Sequence, residues 1–225
     1  MILAGVVSVE GRSVTQAGTR IPVDARIEVA GPDHEYVSRG GVKLAGALDS
    51  LGVDPTGRIG LDVGASTGGF TDCLLQRGAA LVHAVDVGYG QLAWSLRKDE
   101  RVRVHERTNM RKVEPRSFDP VPDLAVVDAS FISLRLLLEP TLAQLAPPCE
   151  IVALVKPQFE VGREKVGKGG VVRSPEARQA AVESVVETAE GLGLCVRGVV
   201  ESTLPGAKKG NVEVFVYLDS GAARR

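Results

Sequence analysis

The sequence predicts an α/β fold on a mostly parallel, seven-stranded sheet. Three observations predict it. From about residue 59, short apolar or β-branched runs alternate with helix-length segments; a glycine-rich turn leads the first run into a helix; and no helix separates the last two runs. The strands are predicted at 59–63, 81–87, 102–105, 124–128, 151–156, 194–201 and 211–218, and the helices at 69–76, 91–97, 133–145 and 175–192. Ser174 and Pro175 open the last helix as N-cap and first-turn residues, and Gly191 and Gly193 close it. The polar stretch 206–210 joins the final two strands, which are therefore expected to pair antiparallel. Ahead of this unit, Val42, Ala45, Leu48 and Leu51 recur every third residue and predict an amphipathic helix over 38–51, preceded by a Gly31-Pro32-Asp33 linker. Residues 1–30 predict two short strands, 6–10 and 26–29, with a turn at Glu10-Gly11-Arg12.

Composition bounds the function. The chain has 225 residues, 44% hydrophobic and 24% charged, enough for one full domain with a small appendage and not for a multi-domain machine. With 27 Lys+Arg against 28 Asp+Glu, the net charge is -1, so any nucleic-acid contact must come from local patches. The first residues lack the basic flank and apolar core of a signal peptide, and no run reaches the ~18 apolar residues of a membrane span, so a cytoplasmic protein is expected. Cys73, Cys149 and Cys195 fit neither a disulfide framework nor a zinc pattern, and His34, His83 and His105 show no metal-ligand spacing.

The segment from Asp62 through Gly64, Ala65, Ser66, Thr67, Gly68 and Gly69 to Phe70 is a strand end running into a glycine turn and a helix. In an open α/β sheet, ligands bind at this edge, where glycines permit positive φ and a close backbone approach. The glycine spacing, G-x-x-x-G-G, is not the G-x-G-x-x-G of a dinucleotide site. Asp62 is placed to accept from an ammonium group. Asp86, closing the next strand beside Val87, is placed to take two ribose hydroxyls.

These stretches, with Asp86-Val87-Gly88-Tyr89-Gly90-Gln91-Leu92, Asp128-Ala129-Ser130-Phe131-Ile132-Ser133 and Leu154-Val155-Lys156-Pro157-Gln158-Phe159-Glu160, resemble the TlyA (hemolysin-A-like) family of ribosomal RNA 2'-O-methyltransferases over about residues 36–218. The resemblance implies a Rossmann-like, FtsJ-like domain that uses S-adenosyl-L-methionine, occupying 37–219 between a linker at 32–36 and a tail at 220–225. It implies that the glycine turn binds the methionine moiety, Asp86 the ribose, and Asn109 the region of the adenine, with Asp128 also at the cofactor. Matching the family's Lys-Asp-Lys-Glu tetrad picks out Lys43, Asp128, Lys156 and Glu213. The chemistry is consistent with that choice: each charge interrupts an apolar run, and buried charges must pair. Lys156 is expected to contact the 2'-oxygen, with Asp128 and Glu213 orienting it and favouring its ammonium form, and Lys43 adding positive potential. Asp128-Ala129-Ser130-Phe131 is not the stacking motif of base-amine methylation, and Cys149 precedes its strand, away from the cofactor edge.

Residues 97–116 carry eight Arg/Lys against four acids, and 156–173 carry five against two. The second stretch is glycine-rich and follows Lys156, so a mobile substrate-covering loop is expected there. Arg39, Arg163, Lys165, Lys168, Lys208 and Lys209 are the candidate RNA contacts, and ribosomal RNA within ribosomal subunits the expected partner. Residues 1–31 resemble the second half of an S4 RNA-binding module; the two basic helices that precede it in the family are absent from this sequence, so the fragment is expected to bind RNA poorly. The competing expectations are a nicotinamide-dependent oxidoreductase on a similar sheet and a pore-forming hemolysin.

Overall fold

A strand covered on both faces reads as an unbroken apolar run, and the central strands of the protein obey that rule: Leu124–Val127 is buried at every residue and Glu150–Val155 at all but its first. The computed structural model describes residues 7–14, 16, 18–29, 34–206 and 211–221. It divides into two units, residues 1–35 and 36–225. In the smaller unit, β1 (Val7–Val9) pairs antiparallel with β2 (Arg12–Ser13) and β3 (Ile27–Val29). Glu10 and Gly11 both take positive φ, the twist a two-residue hairpin requires, so the chain folds back at once into β2, a strand too short to show in the pattern.

The larger unit opens with α1 (Arg39–Leu51), capped by Ser38 and closed by Gly52 at φ 65°. Then follow β4 (Ile59–Val63), α2 (Gly69–Gln76), β5 (Leu81–Val85), α3 (Trp94–Arg97), β6 (Val102–His105), β7 (Leu124–Val127), α4 (Arg135–Leu142), β8 (Glu150–Val155), α5 (Pro157–Glu160), α6 (Pro175–Gly191), β9 (Cys195–Glu201) and β10 (Val214–Asp219). The sheet order is β6-β5-β4-β7-β8-β10-β9, with β4 to β8 parallel and β10 antiparallel to both its neighbours. The order reverses between β4 and β7. Ligands bind at such a switch point. One face packs Leu44, Leu48, Phe70, Leu74 and Phe215 beneath α1 and α2; the other packs Leu61, Leu138, Ile151 and Val185 beneath α4 and α6.

Several predicted boundaries shift for local reasons. The helix predicted at 91–97 begins only at Trp94, because Ala93 N–H donates to Thr67 O and ties this stretch to the glycine turn. The helix predicted at 133–145 contracts to α4, which contains Pro140. Glu213, expected inside the last strand, lies one residue before β10, although its carbonyl still accepts from Ser202 N–H.

His83 on β5 is almost wholly buried against His105 and Phe118. Its Nε2 lies 2.9 Å from Pro120 O, which only accepts, so Nε2 carries the proton and Nδ1 accepts from His105 Nε2 at 3.1 Å. Burial holds the pKa of His83 below the usual histidine value, with Arg103 adding to the effect while Pro120 O and Asp119 oppose it. A lowered folded-state pKa means that the unfolded chain binds the proton more readily, so this contribution is intact above the unfolded value of about 6.5 and is lost as pH falls below it. Urea unfolding at pH 7.5 and 5.5 should therefore show a smaller acid-side loss of stability in His83→Gln than in the wild type.

Candidate active site

Gly64 follows β4 at φ 90°, and its backbone lies so close to β7 that a Cβ there would stand 2.7 Å from Asp128 O. Gly64 and Ala65 N–H both donate to Val85 O, at 2.9 and 3.1 Å, which locks the turn to β5. Ser66 takes a left-handed φ of 49°, and its N–H donates to Asp86 Oδ2 at 2.8 Å; Gly88 N–H donates to Asp86 Oδ1 at 2.6 Å. Asp86 is thus fixed by two amides, and each oxygen keeps a lone pair for a ligand hydroxyl.

Three cavities meet at this edge. The first, about 230 Å³, is bounded by Ser38, Arg39 and Gly40 of the α1 start and by Gly64, Ala65, Ser66, Thr67, Gly69 and Phe70. The second, about 380 Å³, has Asp86, Val87, Asn109 and Met110 on one side and Phe131 and Ile132 on the other. The third, about 360 Å³, holds Lys43, Asp128, Lys156 and Glu213 together. Asp128 and Ser130 line all three. Gly68 lines none of them; at φ 100° it packs where a Cβ would strike Leu92 and Leu96.

The four charges form two pairs. Lys156 Nζ lies 2.5 Å from Asp128 Oδ1 and donates to Ser130 Oγ at 2.8 Å. Asp128 Oδ1 makes no directional hydrogen bond, so its contact with Lys156 is a plain ion pair. Lys43 Nζ donates to Glu213 Oε2 at 2.5 Å, with the Glu213 side chain only 4% exposed. This corrects one expectation: Glu213 holds Lys43, and the second partner of Lys156 is Ser130, not a second carboxylate.

Asp62 is a second correction. It is fully buried and lines none of the three cavities. Its Oδ2 accepts from Thr71 N and Oγ1, at 2.8 and 2.6 Å, while Oδ1 has no partner. Burial raises its pKa to about 7, against the hydrogen bonds from Thr71. Through these bonds it anchors α2 to β4, beneath the three cavities and not on their walls. Asn109 lines the second cavity and also caps the turn Met110–Lys112, accepting from Arg111 N–H at 3.1 Å.

Among the candidate RNA contacts, Arg39 lines the first cavity, whereas Arg163, Lys165 and Lys168 are exposed beyond α5. Lys208 and Lys209 lie outside the described residues. The segment expected to be a mobile cover is tied down: Gly167 bridges Val171, and Asn211 accepts from Val172 N–H at 3.0 Å and donates to Gly170 O at 2.8 Å.

Ser130 and Phe131 were not among the site residues expected from sequence. Phe131 has φ 65°, costly for a side chain with a Cβ, and is 92% exposed, with its ring 5.3 Å from that of Phe159. Only its place just past a strand end at the cofactor edge could have marked it.

The doubly wound sheet with its antiparallel β10, the glycine turn and the amide-held acid define a methyltransferase of the S-adenosylmethionine-dependent fold. Geranyl diphosphate methyltransferase in complex with that cofactor shares the fold at 16% identity and TM-score 0.53, over 80% of this chain and 85% of its own. The chain belongs to the FtsJ-like methyltransferase family, which it matches over residues 36–220. It is 48% identical over 219 residues to the 16S/23S rRNA (cytidine-2'-O)-methyltransferase TlyA of Mycobacterium tuberculosis, covering 97% of this chain and 81% of that one. It is 39% identical to Hemolysin A of Brachyspira hyodysenteriae, over 97% and 90% of the two chains. A solved structure from Lactococcus lactis is 48% identical and superposes with TM-score 0.79, over 82% of this chain and 88% of its own. Family membership sets aside the oxidoreductase alternative. Among the described residues no helix is long and apolar enough to cross a membrane.

The residues present fit the cofactor. Gly64 lines the groove and packs so tightly on the Asp128 backbone that a Cβ there would displace the turn that forms the groove wall, and the fixed acceptor Asp86 borders the adjoining cavity. Gly64→Ala should lower the affinity for S-adenosylhomocysteine more than tenfold by calorimetry, and should cost about 1–3 kcal/mol of stability through backbone strain.

Proposed function

We propose that this enzyme methylates a ribose 2'-hydroxyl of cytidine in ribosomal RNA within ribosomal subunits, in the cytoplasm. The observation that carries this reading is the joining of two lysine–carboxylate pairs in one cavity next to the cofactor groove. S-adenosylmethionine, when bound, supplies an electrophilic methyl group.

A ribose hydroxyl is a weak nucleophile, so the protein must aim the oxygen and stabilise its growing negative charge. Lys156 is the group for that task. An ammonium about 4 Å from an oxyanion contributes ~4 kcal/mol at an effective dielectric near 20. Asp128 and Ser130 restrain its Nζ from two sides, so little reorganisation is needed as charge develops. Lys43, held by Glu213, adds positive potential to the same cavity. The hydroxyl proton leaves to water. Phe131 and Phe159 offer an apolar plate at the rim for the target base. Arg39, Arg163, Lys165 and Lys168 are suited to phosphates, and Lys208 and Lys209 join them by sequence. The β1–β3 unit is read as part of an S4 module.

The test is mass-spectrometric mapping of methylated ribose after incubating unmodified ribosomal subunits with the protein and labelled S-adenosylmethionine. One or a few 2'-O-methylcytidines are expected. Methylation on a base, or none, overturns the proposal. Lys156→Ala should lower kcat about 10²–10³-fold, as for the loss of one oxyanion-stabilising donor. If the four basic side chains contact phosphates, log affinity for the RNA should fall with log salt with a slope of about -0.7 to -0.9 per contact.

A further inference from the structure

Ser130 holds a place in the site that its role as a tether for Lys156 does not exhaust. With Asp128 it lines all three cavities, so it stands where the groove beside Gly64 meets the cavity of the two lysine–carboxylate pairs. It is exposed there, and its Oγ accepts from Lys156 Nζ at 2.8 Å. A serine hydroxyl accepts through its lone pairs and donates through one hydrogen. Among the described residues no acceptor takes that hydrogen.

An oxygen that accepts from an ammonium becomes a stronger donor through its own hydrogen, because successive hydrogen bonds polarise one another. The ammonium keeps further N–H groups for a substrate. With Nζ and Oγ only 2.8 Å apart, one substrate oxygen can stand within hydrogen-bond distance of both. We propose that Ser130 Oγ–H donates to the ribose 2'-oxygen beside Lys156 and is a second, neutral oxyanion donor. The proposal rests on the ribose-methylation reading and adds a catalytic residue to it. As the 2'-oxygen bonds the methyl carbon, the C–S bond breaks with its electron pair left on sulfur, and the hydroxyl proton leaves to water. Ser130 keeps its own proton throughout.

The test measures two quantities on unmodified ribosomal subunits: the single-turnover methylation rate at saturating S-adenosylmethionine, and the dissociation constant for the subunit. The proteins are the wild type, Ser130→Ala, Ser130→Thr, Lys156→Ala and the double variant Ser130→Ala with Lys156→Ala. Ser130→Ala should slow the rate about tenfold or more and change the dissociation constant less than about twofold, because the bond strengthens only as negative charge develops. Ser130→Thr keeps a hydroxyl and should stay within about threefold of the wild-type rate. On the Lys156→Ala background, loss of the hydroxyl should slow the rate by a further factor of about three or more, since it bonds the oxygen directly. A Ser130→Ala rate within about twofold of wild type, a Ser130→Thr rate as low as that of Ser130→Ala, or a double variant no slower than Lys156→Ala each overturns the assignment and leaves ribose methylation standing. The last of these would make Ser130 a positioning residue for Lys156 alone. Absence of 2'-O-methylation by the wild type overturns the reading beneath it.

Discussion

Two lysine–carboxylate pairs at one sheet edge, with Lys43, Lys156 and Glu213 largely buried and Asp128 partly so, constrain the rest of this protein. Desolvating a lone charge there costs several kcal/mol, so each lysine must touch a carboxylate. Lys156 meets Asp128 and Lys43 meets Glu213, both at 2.5 Å. The first pair follows from strand adjacency, because β7 and β8 run parallel side by side and Asp128 and Lys156 are the residues that immediately follow them. The second pair joins segments 170 residues apart in the chain and needs α1 and the approach to β10 to converge on that edge. A lysine fixed in this way keeps its aim, the condition for stabilising an oxyanion without rearrangement.

Close backbone approach is the second constraint, and it explains why the edge is rich in glycine. At Gly64 a side chain would meet the carbonyl of Asp128, and at Gly69 it would meet Gly41 N at 2.8 Å. The first approach seats the turn that lines the first cavity against the Asp128 backbone. The second lets α1 lie directly on the start of α2, which brings Lys43 within reach of Glu213. The glycines therefore serve the charges as well as the cofactor.

Much of this was legible in the sequence. Strand β4 and helix α2 begin and end where the sequence predicts because each is buried and bounded by turn residues, and β6, a mostly unburied edge strand, also keeps its predicted bounds. The caps Ser174 and Pro175 mark α6 for the same local reason. What escaped was set by tertiary geometry. Which carboxylate serves which lysine depends on side-chain direction, so Glu213 was assigned to Lys156 and Ser130 was missed. Asp62 and Asp86 both end apolar runs in sequence, yet Asp62 turns inward to Thr71 while Asp86 borders a cavity. Nothing in the sequence marks the positive φ and high exposure of Phe131, which arise from the turn after β7.

The placement of Lys43 gives α1 a function that the sheet alone cannot supply. The start of α1, Ser38 to Gly40, walls the first cavity, and its next turn carries Lys43 into the third. Displacing the helix would open the donor groove and at the same moment leave Glu213, nearly buried, without its cation. That second cost resists the first motion. The same ion pair that in the proposed reaction places positive charge near the ribose oxygen therefore also braces the wall of the first cavity, so the proposed donor binding and oxyanion stabilisation share one helix.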